Sequence, residues 1–175
     1  MPDLLIAKPD ASEHAPYYSR YVDLVADGDI LETLAGQIGG TLAELQRVSD
    51  EASLKRYAPG KWSVREVVGH LIDTERILAY RALRFARHDH TDLPGFEQDD
   101  YVLAAQFDRR PWADLQEEFE AVRQSNLLMF QGLSGEAWLR RGVANGNAMS
   151  VRAAAYVIAG HELHHMGVLR EKYGV

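Results

Sequence analysis

The stretch from Ser150 to Tyr173 most constrains what this chain can become. At 3.6 residues per turn, His161 and His165 lie four residues apart, one turn, on a single helix face. Val151, Ala155, Ile158 and Leu169 share that face, so both imidazoles look toward a core rather than toward water. Two neutral imidazoles facing inward at this spacing make a ready bidentate site for a transition metal. The rest of the chain must bury that face and supply a third ligand.

Three further stretches have the pattern to do the burying. The first 28 residues are mixed, with Pro9, Pro16 and the cluster Tyr17, Tyr18, Tyr21, and they predict a short helical segment packed on the body. Asp29 then offers an N-cap with capping-box spacing to Glu32. Leu31, Leu34, Ile38, Leu42 and Leu45 follow at helical spacing, predicting a first helix over about residues 30–48. Gly39-Gly40 weakens it by about 1 kcal/mol per glycine relative to alanine. After the turn signal Tyr57-Ala58-Pro59-Gly60, the capping box Ser63-x-x-Glu66 opens a second helix running to about Arg87. Its apolar stripe, Val64, Val67, Val68, Leu71, Leu78, Ala79 and Ala82, is broken by Glu75.

Residues 88–110 read as a long acidic loop. Pro111 suits the first position of a third helix reaching about Gln131. Asn145-Gly146 is a favoured two-residue turn, predicting a small hairpin before Ser150 caps the fourth helix. Helices of these lengths imply an all-α four-helix bundle, a single domain over residues 1–175 with a short N-terminal helical segment.

Composition bears on the ligands and the partners. The chain has no cysteine, so thiolate sites and a cysteine nucleophile are excluded, and a metal must be held by His, Asp or Glu. With 26 acids against 19 bases the net charge is -7, which argues against a phosphate-binding, nucleic-acid surface. No run of 18 apolar residues is present to span a membrane, and the first residues do not read as a signal peptide. The expected compartment is the cytoplasm.

Among the remaining histidines, His14, His88 and His90 read as solvent-exposed polar residues, and His164 as a rim residue off the inward face. His70 differs, because it borders the apolar stripe beside Val67 and Thr74, where bundles build metal sites from facing helices. His70 is therefore the expected third ligand, with Asp73 at best an outer partner. The pentapeptide also matches H-E-x-x-H, which would make Glu162 the general base of a zinc peptidase. Only ten residues follow His165, however, with Glu171 the sole acid among them. For Glu162 an acid/base role and a structural ion pair both stay open. Arg81, Arg84 and Arg87 could bind an anionic thiol's carboxylates but read first as a solvated helix face, and Trp62 as either a pocket wall or a packing staple.

Tyr57-Ala58-Pro59-Gly60-Lys61-Trp62-Ser63, Gly69-His70-Leu71-Ile72-Asp73-Thr74-Glu75-Arg76 and Gly160-His161-Glu162-Leu163-His164-His165, in that order and spacing, resemble the DinB-like (YfiT-like) metalloenzymes. The resemblance runs from about residue 17 to 173. It implies a four-helix bundle holding one divalent metal, zinc or nickel, on His70, His161 and His165. It further implies a homodimer and, in members with assigned activity, thiol-dependent transferase chemistry. The function expected is a metal-dependent enzyme of the thiol S-transferase or hydrolase type acting on a small molecule. Beside it stand a non-enzymatic stress-response protein with a closed metal site, completed by Asp99 or Asp100, and the peptidase with Glu162 as base.

Overall fold

The computed structural model describes residues 6–175. The N-terminal segment contains two 3-10 turns, Ala11–Glu13 and Pro16–Tyr18, and a single-turn helix α1 (Ser19–Val22). The long helices are α2 (Ile30–Leu45), α3 (Val64–Ala86), α5 (Trp112–Gln131) and α7 (Val151–Val168), the last prolonged by a π turn over Leu169–Tyr173. Shorter helices α4 (Gln98–Ala105) and α6 (Gly135–Leu139) fill the connections.

Local chemistry sets the helix starts. The side chains of Asp29, Ser63 and Ser150 accept from the backbone N–H of Leu31, Glu66 and Ala153, satisfying donors that the first turn leaves orphaned. Glu66 completes the box at Ser63. Strands β1 (Arg141–Ala144) and β2 (Asn147–Ser150) pair antiparallel around Asn145-Gly146, both at positive φ as a type I′ turn requires.

Two expectations need correction. The span 88–110 is not a loop throughout: α4 and a 3-10 turn at Phe107–Arg109 occupy its second half, and Leu93 bridges to Ala144 beside the hairpin. Pro111 stands at the N-cap of α5 rather than inside its first turn.

Cross-helix bonds define the topology. α2 runs parallel to α7, with Gln37 donating to the Ala159 carbonyl and Glu44 paired with Arg170. α3 runs antiparallel to α7, with Tyr173 bonding to the Trp62 carbonyl at one end. α3 runs parallel to α5 through Arg76–Glu118, and α2 antiparallel to α5 through the Trp112 indole and the Val48 carbonyl. The directions are thus up, down, down, up. Packing is extensive between α3 and both α5 and α7, and between α2 and the same two helices, so α2 sits diagonally across the bundle from α3, and α5 from α7.

The core divides in two. One apolar cluster gathers Ile30, Leu34, Leu78, Phe85, Phe130 and Tyr156, and the other Leu45, Leu71, Leu115, Phe119, Met166 and Leu169. Between them a polar layer crosses all four helices. Arg123, 1% exposed, donates from Nε and Nη2 to Glu75 at 2.8 Å, from Nη2 to Glu162 at 2.7 Å, and from Nη1 to the Leu34 carbonyl. Thr41 donates to the second oxygen of Glu162. The three histidines lie at the same level.

Candidate metal centre

His70 sits two turns into α3, and His161 and His165 one turn apart near the end of α7. Because these helices are antiparallel neighbours, the three rings converge. The Nε2 atoms of His70 and His161 are 3.0 Å apart, and ligand nitrogens of all three histidines lie within 4.8 Å of one another. Among the described residues no acid joins this group.

A glycine precedes two of the three, and each glycine admits a close neighbour. A Cβ at Gly160 would lie 2.0 Å from the Tyr21 carbonyl oxygen, and one at Gly69 would strike the Phe107 ring. α1 therefore crosses α7 at His161, and the Tyr21 ring stands edge-on to that imidazole at 5.2 Å. Trp62 packs on His70 with ring centroids 4.8 Å apart, so it walls the histidine, and Thr74 Oγ1 lies 3.4 Å from His70 Nδ1.

Burial controls the charge of these rings. It pushes His70 down to about 4 and, reinforced by neighbouring His70, His164 and Arg20, His165 down to about 3. His161 is held well below its ordinary value in the same direction, by burial first and then by His165 and His70. All three are neutral at pH 7, the form that binds a metal. Tetrahedral bonds of 2.0–2.1 Å need nitrogens about 3.3 Å apart, so a small spreading of His70 from His161 accommodates an ion. Three neutral donors without a carboxylate fit a divalent ion chemically.

A cavity of about 410 Å³ opens onto His70 and His161 and extends past Thr74 and Leu78 to Arg81, the Asn145 turn and the start of α4. His165 and His164 do not line this cavity; His164 stands edge-on to the Tyr21 ring instead of at the rim that the sequence predicts for it.

The other candidate residues fall elsewhere. Glu162, adjacent to His161 in sequence, projects around the helix into the Arg123 layer, where both oxygens are engaged. Asp73 lies toward Arg76 and Glu118, and burial raises its carboxyl. Asp99 and Asp100 are exposed in the first turn of α4, and only Asp99 reaches the cavity rim. His88 and His90 are exposed as expected.

His14 is not: it is 7% exposed, with Nδ1 on the Ala15 carbonyl. Arg81, expected on a solvated face, is buried. Arg123 and Thr41 were not singled out by the sequence, and Tyr21 only as part of the N-terminal tyrosine cluster. A signal existed for Arg123, which stands one turn after Phe119 on the inward face of α5, opposite the acid that interrupts the stripe of α3.

The sequence profile of the DinB superfamily matches residues 34–169. The chain belongs to the DinB superfamily. A protein of Oceanobacillus iheyensis named "putative metal-dependent hydrolase" is 25% identical over 147 residues, covering 80% of this chain and 79% of that one. YfiT from Bacillus subtilis, described as "a probable metal-dependent hydrolase with an unusual four-helix bundle topology", superposes with a TM-score of 0.70 at 16% identity. That superposition covers 94% of this chain and 90% of YfiT, and establishes the fold of this DinB-superfamily chain.

Proposed function

We propose that this DinB-superfamily chain is a metal-dependent enzyme that activates a small nucleophile at one divalent ion held by His70, His161 and His165. The observation carrying the reading is the convergence of three neutral imidazoles at the end of an open cavity. Zinc and nickel both accept such a donor set. When bound, the ion supplies Lewis acidity that brings a water or a thiol toward deprotonation near neutral pH. The chain's own residues do the rest. Thr74 and Trp62 fix the plane of His70, Tyr21 backs His161, and the Tyr21–Tyr17 wall keeps bulk water from one side of the cavity. The open cavity favours an active site over a closed structural one.

The hydrolase version is supported by the names of the two relatives. One observation favours the thiol version. Glu162 is locked into the Arg123 layer and, among the described residues, no other carboxylate lies among the histidines, so these residues supply no general base of the kind a peptidase needs. A thiol is acidic enough to attack an electrophile without that base, and in a chain without cysteine it arrives as a cosubstrate. The reading also includes a homodimer, which light scattering checks.

The test is elemental analysis of the purified protein beside a His70→Ala, His161→Ala double variant. About one ion per chain, lost in the variant, is expected. An absence of metal in the parent after incubation with zinc or nickel would sink the proposal. Ester hydrolysis and thiol conjugation to a chloronitrobenzene, assayed on the same loaded protein, then separate the two versions.

A further inference from the structure

Arg81 is 3% exposed, yet no carboxylate among the described residues pairs with it. Nη2 donates to the Pro94 carbonyl at 2.9 Å, and this is the one hydrogen bond the side chain makes among the described residues. Its remaining nitrogens are not sealed in protein. The side chain lines the same cavity as the histidines, passing beneath the Pro94–Phe96 segment. His70, Thr74, Leu78 and Arg81 form one continuous stripe on α3, and all four face the cavity.

A guanidinium withdrawn from water without a counter-charge is costly, and natural proteins pair or coordinate such groups. The other buried arginines are paired, Arg123 with two carboxylates and Arg65 with Asp50. Arg81 has no such partner among the described residues, and its side chain lines the cavity that His70 and His161 also line. The planar fork suits bidentate binding of a carboxylate or a phosphate. Glu97 and Asp99 lie at the exposed rim, where water and salt screen them. Eleven residues at 1.5 Å rise separate His70 from Arg81 by roughly 16 Å along the helix axis. Leu78, Val157, Tyr18 and Tyr21 line the cavity between them and are largely apolar.

We propose that Arg81 recognises an oxyanion at one end of an elongated substrate whose reacting group lies at His70 and His161, with an apolar middle along Leu78 and Val157. The proposal rests on the metal-site reading for the reacting end, but not for the anion end. It makes Arg81 a specificity-determining residue for molecules carrying a carboxylate or phosphate on the order of 10 Å from the reacting bond.

The test uses sodium hexanoate and hexyl phosphate as probes, with chloride at equal ionic strength as the control. The protein is freed of metal by chelator dialysis, so that no ion competes for the probe. Binding is followed by the side-chain Nε–H signal of Arg81 in nitrogen-correlated NMR, assigned by its loss in Arg81→Lys. Saturable movement of that signal is expected. Affinity, read by isothermal titration calorimetry because the Arg81 signal is absent from the variants, should fall about tenfold or more in Arg81→Met and by less in Arg81→Lys, which keeps the charge but loses the planar fork. Response to hexanoate alone identifies a carboxylate, to hexyl phosphate alone a phosphate, and either supports the proposal. An unmoved signal in the parent overturns it, as does equal affinity in a folded Arg81→Met. If that variant fails to fold, the parent signal decides. Probe binding in a protein that takes up no metal would leave Arg81 standing while the metal reading fails. Metal uptake with an unmoved signal gives the reverse.

Discussion

Position 160 admits nothing larger than hydrogen, because the backbone of α1 fills the space a methyl group would need. Gly160→Ala should therefore destabilise the fold by about 1–3 kcal/mol, the usual cost of overpacking against unyielding atoms. It should also weaken metal uptake by displacing His161. Gly40→Ala, at an exposed mid-helix position with open space around it, should stabilise by about 1 kcal/mol. Urea unfolding of both variants checks the contrast, and a Gly160→Ala as stable as the parent would mean that α1 does not rest on α7 in solution. The dipeptides Gly69-His70 and Gly160-His161 are visible in the sequence, but the need for glycine is set by Phe107 and Tyr21, residues remote in the chain. Arg81 and His14 misled for the same reason. Burial of a polar side chain depends on partners that helical spacing does not name.

The N-terminal segment is tied to α7 by the apolar packing of Ile6, Tyr21, Val22 and Val25 and also by an ion pair. Glu13 lies under Arg152, which donates to both its carboxylate oxygens. Burial alone would raise this carboxyl, but the bonds from Arg152, Ser150 and the Asp10 backbone prevail and hold it at about 2, below its ordinary 4.5. A carboxyl depressed on folding stabilises fully above its unfolded value and loses that contribution as pH falls through the folded one. Stability should thus decline between about pH 4.5 and pH 2 through this group, and Glu13→Gln should flatten that part of the profile. Denaturant melts at closely spaced acidic pH values measure it, and an unchanged acid limb in the variant would remove Glu13 from the account. Elements opened by a local device, the caps at Asp29, Ser63 and Ser150 and the Asn-Gly turn, were legible because their cause lies within a few residues. α4 was not. Of its residues only Val102 is buried while Tyr101 and Leu103 face solvent, so no 3.6-residue stripe announces it.

Across the whole molecule, the polar layer is the seam on which both apolar halves are registered. Arg123→Met would leave Glu75 and Glu162 buried without a counter-charge, and should cost about 3–5 kcal/mol. Adding Glu75→Leu and Glu162→Leu should recover much of that loss, since an apolar layer of similar volume is often neutral or better. Calorimetric unfolding of the single and triple variants decides whether the layer stabilises or only specifies. Four helices and the convergence of His70 on His161 and His165 could be read from spacing, because each helix carries its own period and its own inward histidines. Which helices are neighbours could not, since a stripe does not record what covers it. The diagonal order carries a further consequence. A cut in the connection between α3 and α5 would yield one fragment with α2 and α3 and another with α5 and α7, each lacking any long-helix pair that packs together. Neither half holds a core of its own, and the first brings one histidine while the second brings two. Bringing the halves together and assembling the three-imidazole cluster are therefore one event, and an ion captured there would clasp the two halves of the chain as it binds.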